Sequence, residues 1–173
     1  ACGQSVTHPP GSFFRYSDIN YVLLGLLVER TADMPLDRFA QERIFSPLGM
    51  ADTGYRPLER MPAARIAPTQ RGASEAAQLP TARGYLAPGA PLQGVVHDPT
   101  VRRMGGVAGS AGVFSTVGDV ARFGRMLLGN GSLNGVRILK PESVRLLTTV
   151  QSPPGIAALR GMGMDIDSPY AKR

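Results

Sequence analysis

The sequence predicts a mainly helical α/β (α+β) fold, and three observations carry that reading. A long apolar run follows Ser17-Asp18 and continues to Arg30. Leu36, Phe39, Ala40, Ile44 and Phe45 recur at helical spacing and give a second segment one apolar face. Two further helix starts, at Ser115-Thr116 and at Pro141, stand before apolar-periodic stretches, whereas strand-like alternation is confined to short pieces.

Taken in order, residues 1–12 are rich in Gly, Pro and Ser and read as loop. Ser17 or Asp18 can cap the first helix, which runs through Tyr21-Val22-Leu23-Leu24 to Arg30. Its apolar residues go nearly all the way round, so deep burial is expected. Pro35 suits the first turn of a second helix, with Asp33 as a possible cap, and Pro47 with the turn Leu48-Gly49-Met50 ends it. Residues 55–98 hold many Pro, Gly and Ala and little periodicity, a long irregular excursion of the kind that often carries function. Short strands are expected near Arg65-Ile66-Ala67 and from Ala82 to Tyr85. The stretch from Met104 to Thr116, rich in Gly and small residues, implies backbone running close to something else, or unusual dihedrals. Ser115 or Thr116 then caps a helix through Val120, Phe123, Met126 and Leu127, stopped by Gly129-Asn130-Gly131. A short helix after Pro141 should bury Val144, Leu146 and Leu147, and residues 161–166 alternate as a strand would.

Composition narrows the function classes. Of the 173 residues, 43% are hydrophobic and 18% charged, which is ordinary for a globular chain and against disorder along its length. The net charge of +6 raises the question of nucleic acid. The cations are scattered singly, Arg102-Arg103 is the tightest pair, and no basic run interleaves with aromatics, so no nucleic-acid partner is expected. The longest apolar run, Tyr21 to Val28, is far short of the ~20 residues of a membrane helix. Cys2 is the only cysteine, so no intrachain disulfide forms and the compartment stays open, an exported or periplasmic parent included. One Cys and two distant histidines, His8 and His97, are too few for a zinc site, and no metal or cofactor is expected.

The segment Phe14-Arg15-Tyr16-Ser17-Asp18-Ile19-Asn20 is the candidate for chemistry. A Tyr and a short polar side chain two residues later stand at the start of a rigid helix, from which both can project into a cleft. A phenol there can exchange protons with a nucleophile when nearby cations lower its pKa. The residues alone leave a second reading open, a capped helix preceded by a packed Tyr. Ala108-Gly109-Ser110-Ala111-Gly112 imitates a nucleophile elbow, but that turn needs a strand before the Ser and a helix directly after it. His97 reads as a loop residue bordering a cleft, and Asp165 and Asp167 as solvated carboxylates.

The Tyr16-Ser17-Asp18 segment resembles the Tyr-x-Asn element of class C β-lactamases, D-amino-acid peptidases and related esterases. The resemblance continues through Leu36-Asp37-Arg38-Phe39 and Ile44-Phe45-Ser46-Pro47-Leu48-Gly49-Met50-Ala51-Asp52-Thr53. A third matching piece runs from Gly105-Gly106 through Phe114-Ser115-Thr116 to Asp119-Val120-Ala121-Arg122-Phe123. It implies the β-lactamase/transpeptidase-like fold over residues 1–173 as a partial domain. It also implies acyl transfer through a serine ester, on a β-lactam, a D-amino-acid peptide or a small ester, with a small-molecule or peptide as the parent's partner. Tyr16 would act with the Lys of a Ser-x-x-Lys motif in moving the proton. Asp18 departs from the family's Asn, and an ionised Asp donates no amide hydrogen bond. No Ser here is followed three residues later by Lys, and no Lys-Thr-Gly or His-x-Gly occurs. Ser12-Phe13-Phe14-Arg15 ends in an Arg that stays protonated. The expectation is therefore an internal fragment of a serine hydrolase, inactive by itself; a non-catalytic, ligand-binding or regulatory homologue is the alternative.

Overall fold

The computed structural model describes residues 5, 7–71, 80–81, 84–85, 89–156 and 159–166. Helix α1 spans Asp18–Ala32. Ser17 takes the cap position in extended backbone, but its hydroxyl bonds no helix amide; Asp18 instead places its carboxylate in the first turn, where the helix dipole favours it. Asp33 does not cap the next helix. It closes α1 in the left-handed region, φ 51°, and donates its amide to the Glu29 carbonyl. The Glu29 carboxylate reaches over to accept the Leu36 amide at 2.9 Å, and so caps α2, Leu36–Ala40. The apolar face expected as one helix from Pro35 continues through a π-helical turn, Gln41–Phe45, that brings Phe45 inward. The turn at Gly49, φ 68°, ends it.

The excursion after Tyr55 is built from 3-10 turns, Pro57–Glu59 and Ala63–Arg65, and short antiparallel pairs. Strand β1, Pro68–Gln70, pairs with β4, Leu92–Gln93; β2, Pro80–Thr81, pairs with β3, Gly84–Tyr85. The strand expected at residues 65–67 is thus displaced to 68–70, because Arg65 closes a 3-10 turn. Asp98 caps α3, Pro99–Arg103, its carboxylate accepting the Val101 amide at 2.7 Å. Thr116 caps α4, Val117–Leu128, which stops where Gly129, Asn130 and Gly131 reverse the chain. A hairpin, β5 Ser132–Leu133 and β6 Val136–Arg137, turns on Asn134 and Gly135, both at positive φ. Helix α5 covers Pro141–Thr148 and buries Val144. The strand expected over residues 161–166 is instead a tight turn. Gly161 donates to the Met164 carbonyl, Ile166 to that of Leu159, and Arg160 bridges Asp165. Gly161 lies so close to the Leu147 carbonyl that a Cβ there would sit at 1.9 Å, which fixes this turn on α5.

Two cores result. Phe45, Leu48 and Met50 pack with Met126 and Leu133, joining the turn after α2 to α4 and its hairpin. Val96, Val101 and Ala108 form a second cluster with Val22 of α1 against it. The deep burial expected of α1 is not met either. Only Gly25 is buried, and Leu24 and Leu27 are 53% and 58% exposed. One side of α1 meets residues 36 and 109; no described element covers the others.

Candidate functional site

The Tyr16 segment is held through its helix. At Gly25 the backbone of α1 meets the Gly-rich strip so closely that a Cβ would lie 2.9 Å from the Gly109 amide. At Gly109 a Cβ would lie 2.1 Å from the Tyr21 carbonyl. Two glycines at one crossing permit backbone-to-backbone packing that any side chain would break. The strip is fixed at its other end by a two-way bridge between Gly54 and Phe114, each amide donating to the other's carbonyl at 2.9 Å.

The connection behind that bridge is a buried polar network. The Asp119 carboxylate accepts from the Asp52 amide at 2.9 Å and from the Thr53 hydroxyl at 2.8 Å. The Thr53 and Ser115 hydroxyls lie 2.7 Å apart. Asp119 is also in the first turn of α4, so a buried charge meets hydrogen-bond donors and a helix dipole together. Thr53, Ser115 and Asp119 stand in the residues that carried the resemblance, and their part here is to lock the turn after α2 onto α4.

A cleft of about 430 Å³ opens beside the strip, lined by Tyr55, Thr69, Val96, His97 and residues 108–114. The Tyr55 hydroxyl donates to the Ala108 carbonyl at 3.1 Å. Burial pushes its pKa up to about 12, with the Asp37 and Glu29 carboxylates adding to the rise. Arg102 donates to the carbonyls of Val96 and His97, which holds the His97 loop at the rim. Ser110 lines the cleft, but no strand precedes it and the next helix starts at Val117, so the elbow geometry is absent. Tyr55 carried no signal in the sequence; only its fold position makes it a wall of the cleft.

Tyr16 and Asp18 stand apart from this cleft and line neither of the pockets described. Both are exposed, Tyr16 67% so, and among the described residues neither side chain makes a hydrogen bond. Just before them, Phe13 and Phe14 wall a second pocket of about 220 Å³ with Gln151, Pro153 and Arg160, whose guanidinium lies 5.0 Å above the Phe14 ring. Arg160 also pairs with Asp165, and Asp167 lies outside the described residues. No helix among the described residues is long and apolar enough to cross a membrane, and no three His, Cys, Asp or Glu among them converge as metal ligands.

Comparison with known proteins adds the family. The Beta-lactamase family model matches residues 2–171. Over 157 residues the chain is 36% identical to a protein of Escherichia coli (strain K12) named "Putative D-alanyl-D-alanine carboxypeptidase", covering 82% of this chain and 33% of that one. The structure resembles the D-amino acid amidase of Ochrobactrum anthropi SV3, with TM-score 0.60 and 24% identity, over 91% of this chain and 42% of that one. It also resembles a penicillin binding protein from Bacillus halodurans, with TM-score 0.60 and 17% identity, over 96% and 44%. At those identities the structural likeness shows the fold alone. The chain spans about a third of the length of the curated relatives it matches. The chain therefore belongs to the Beta-lactamase family, with its β-lactamase/transpeptidase-like fold.

Proposed function

We propose that this chain supplies the tyrosine-bearing side of a serine acyl-transfer site that hydrolyses a D-amino-acid peptide or amide, a small ester or a β-lactam. The observation that carries the reading is Tyr16 at the mouth of α1, exposed and without a hydrogen-bond partner among the described residues, on a helix clamped through Gly25 and Gly109. In such a reaction a serine hydroxyl attacks the carbonyl and forms an ester, which water then hydrolyses. The Tyr16 phenol passes the proton between the serine and the leaving group, helped by the ammonium of a Ser-x-x-Lys motif elsewhere in the full-length protein. Asp18 sets a negative charge beside that ammonium where an Asn would offer an amide donor, which favours esters and simple amides over β-lactams. Substrates named for the relatives support the acyl class and do not choose within it.

The test is mass spectrometry of the full-length protein quenched with a nitrophenyl ester and, separately, with a chromogenic cephalosporin. A covalent acyl adduct on a serine outside residues 1–173, formed faster with the ester, is the expected result. Asp18→Asn should shift the ratio of acylation rates toward the cephalosporin. No adduct with either reagent sinks the enzymatic reading and leaves a ligand-binding homologue, and an unchanged ratio sinks the role of Asp18.

A further inference from the structure

We infer that Arg160 is a positioning residue for Tyr16: its guanidinium, seated over the Phe14 ring, holds the short segment that sets the phenol at the start of α1. This rests on the acyl-transfer reading above and names a residue that acts through Phe14 rather than on the substrate.

The segment has few other ties. Among the described residues the backbone of Phe13 to Tyr16 makes no hydrogen bond, and the Tyr16 side chain makes none. His8 stacks on Phe13 with ring centroids 4.2 Å apart, but both belong to the same stretch of chain. Phe13 and Phe14 face Gln151, Pro153 and Ile156 across a pocket of about 220 Å³, so close packing does not fix them there. The clamp at Gly25 lies about two turns into α1. It fixes the helix and leaves the residues before it to be held separately.

Arg160 is itself held on every side. Its amide donates to the Ser152 hydroxyl at 3.0 Å, and its carbonyl accepts the Gln151 amide at 2.7 Å. Its guanidinium pairs with the Asp165 carboxylate. The turn that carries it is fixed on α5 at Gly161, where Met162 also donates to the Leu146 carbonyl at 3.0 Å. Carboxylate and backbone thus present a flat cation to Phe14 at 5.0 Å from the ring centroid, inside the ~6 Å over which a cation is drawn to a ring face. The same turn flanks α1 further along, since a Cβ at Gly163 would lie 3.7 Å from the Tyr21 hydroxyl. Phe14 stands two residues before Tyr16. A slack ring there lets the phenol swing, and a proton-transfer group must stay within hydrogen-bond reach of its nucleophile.

The experiment uses the full-length protein. Arg160→Met keeps the apolar stem without the charge; Phe14→Leu removes the ring face from the other side and stands in should the first variant not fold. Each is made alone and combined with Tyr16→Phe. Burst acylation by a nitrophenyl ester gives a limiting rate and an apparent affinity. Either folded variant should lower the limiting rate about tenfold or more at unchanged affinity, since misplacing a reacting group by about 1 Å can cost about 10²-fold. Added to Tyr16→Phe, the same change should cost nothing further, which a general loss of stability would not produce. The parent rate in a folded variant, or an equal loss in the Tyr16→Phe background, overturns the proposal. A second readout needs no catalysis. With fluorotyrosine incorporated, the fluorine NMR signal of Tyr16, assigned by its absence from Tyr16→Phe, should shift or split in the folded variant. A signal that stays in place overturns the proposal whether or not the protein acylates. A shifted signal in a protein that never forms an acyl adduct leaves the hold of Arg160 on Tyr16 standing and sinks the acyl-transfer reading.

Discussion

Tyr55 illustrates what a single residue contributes once it is placed. Its phenol donates to the Ala108 carbonyl, and burial, with Asp37 and Glu29 nearby, holds its pKa at about 12 against an ordinary value near 10. The unfolded chain loses this proton near pH 10, whereas the folded chain keeps it to about 12. The stability that Tyr55 contributes is therefore complete below pH ~10 and is lost as pH rises toward ~12. Tyr55→Phe should cost about 0.5–1.5 kcal/mol at neutral pH. It should also flatten the alkaline loss in that window. The phenolate absorbance difference between parent and variant should titrate near 12, and a midpoint near 10 would contradict the burial argument. Nothing in the sequence distinguished Tyr55 from the other tyrosines, because its environment is assembled from residues distant in the chain. Asp33 failed in the opposite direction. An Asp before Pro35 reads as a cap, yet the left-handed turn that ends α1 uses Asp33 first, and Glu29 does the capping from the previous helix.

Elements were legible where a local signal and the tertiary context agree. Helices α1, α4 and α5 start where Ser17, Thr116 and Pro141 mark them, and α4 ends at its glycines. The β5–β6 hairpin escaped notice although Asn134-Gly135 is the dipeptide that favours positive φ at both turn positions; with two residues per arm, alternation has no room to show. The π-helical turn at residues 41–45 has no local signature at all, since it serves to bring Phe45 under Met126. The Gly-rich strip was legible as backbone running close to something, and the partner is α1. Gly109→Ala should therefore destabilise the chain by about 1–3 kcal/mol, because its methyl would meet the Tyr21 carbonyl and one backbone must move. Urea denaturation measures it, with Gly118→Ala as control, where a Cβ meets nothing closer than 3.9 Å. Equal stability of the two variants would remove the crossing from the account.

At the scale of the whole molecule, apolar surface lies in the open. Leu23, Leu24, Leu26 and Leu27 on α1 are between 45% and 58% exposed, and Val117 and Leu128 on α4 are 90% and 86% exposed. The deep burial expected of α1 from its all-round apolar sequence is not met by the described residues. Contiguous exposed apolar surface of this kind promotes association. The purified 173-residue chain should bind a hydrophobic dye or self-associate, and should show no serine-dependent burst with nitrophenyl esters; a burst abolished by Ser110→Ala would revive the rival nucleophile. The central claim reaches beyond this chain, to Tyr16 as the group that moves the proton in the full-length protein. Its most direct test is the pre-steady-state rate of acylation by a chromogenic ester, compared between the parent and Tyr16→Phe at matched fold and stability. The account predicts a loss of ~10²-fold or more, the usual scale for a proton-transfer group. Acylation at the parent rate in a correctly folded Tyr16→Phe protein would contradict it.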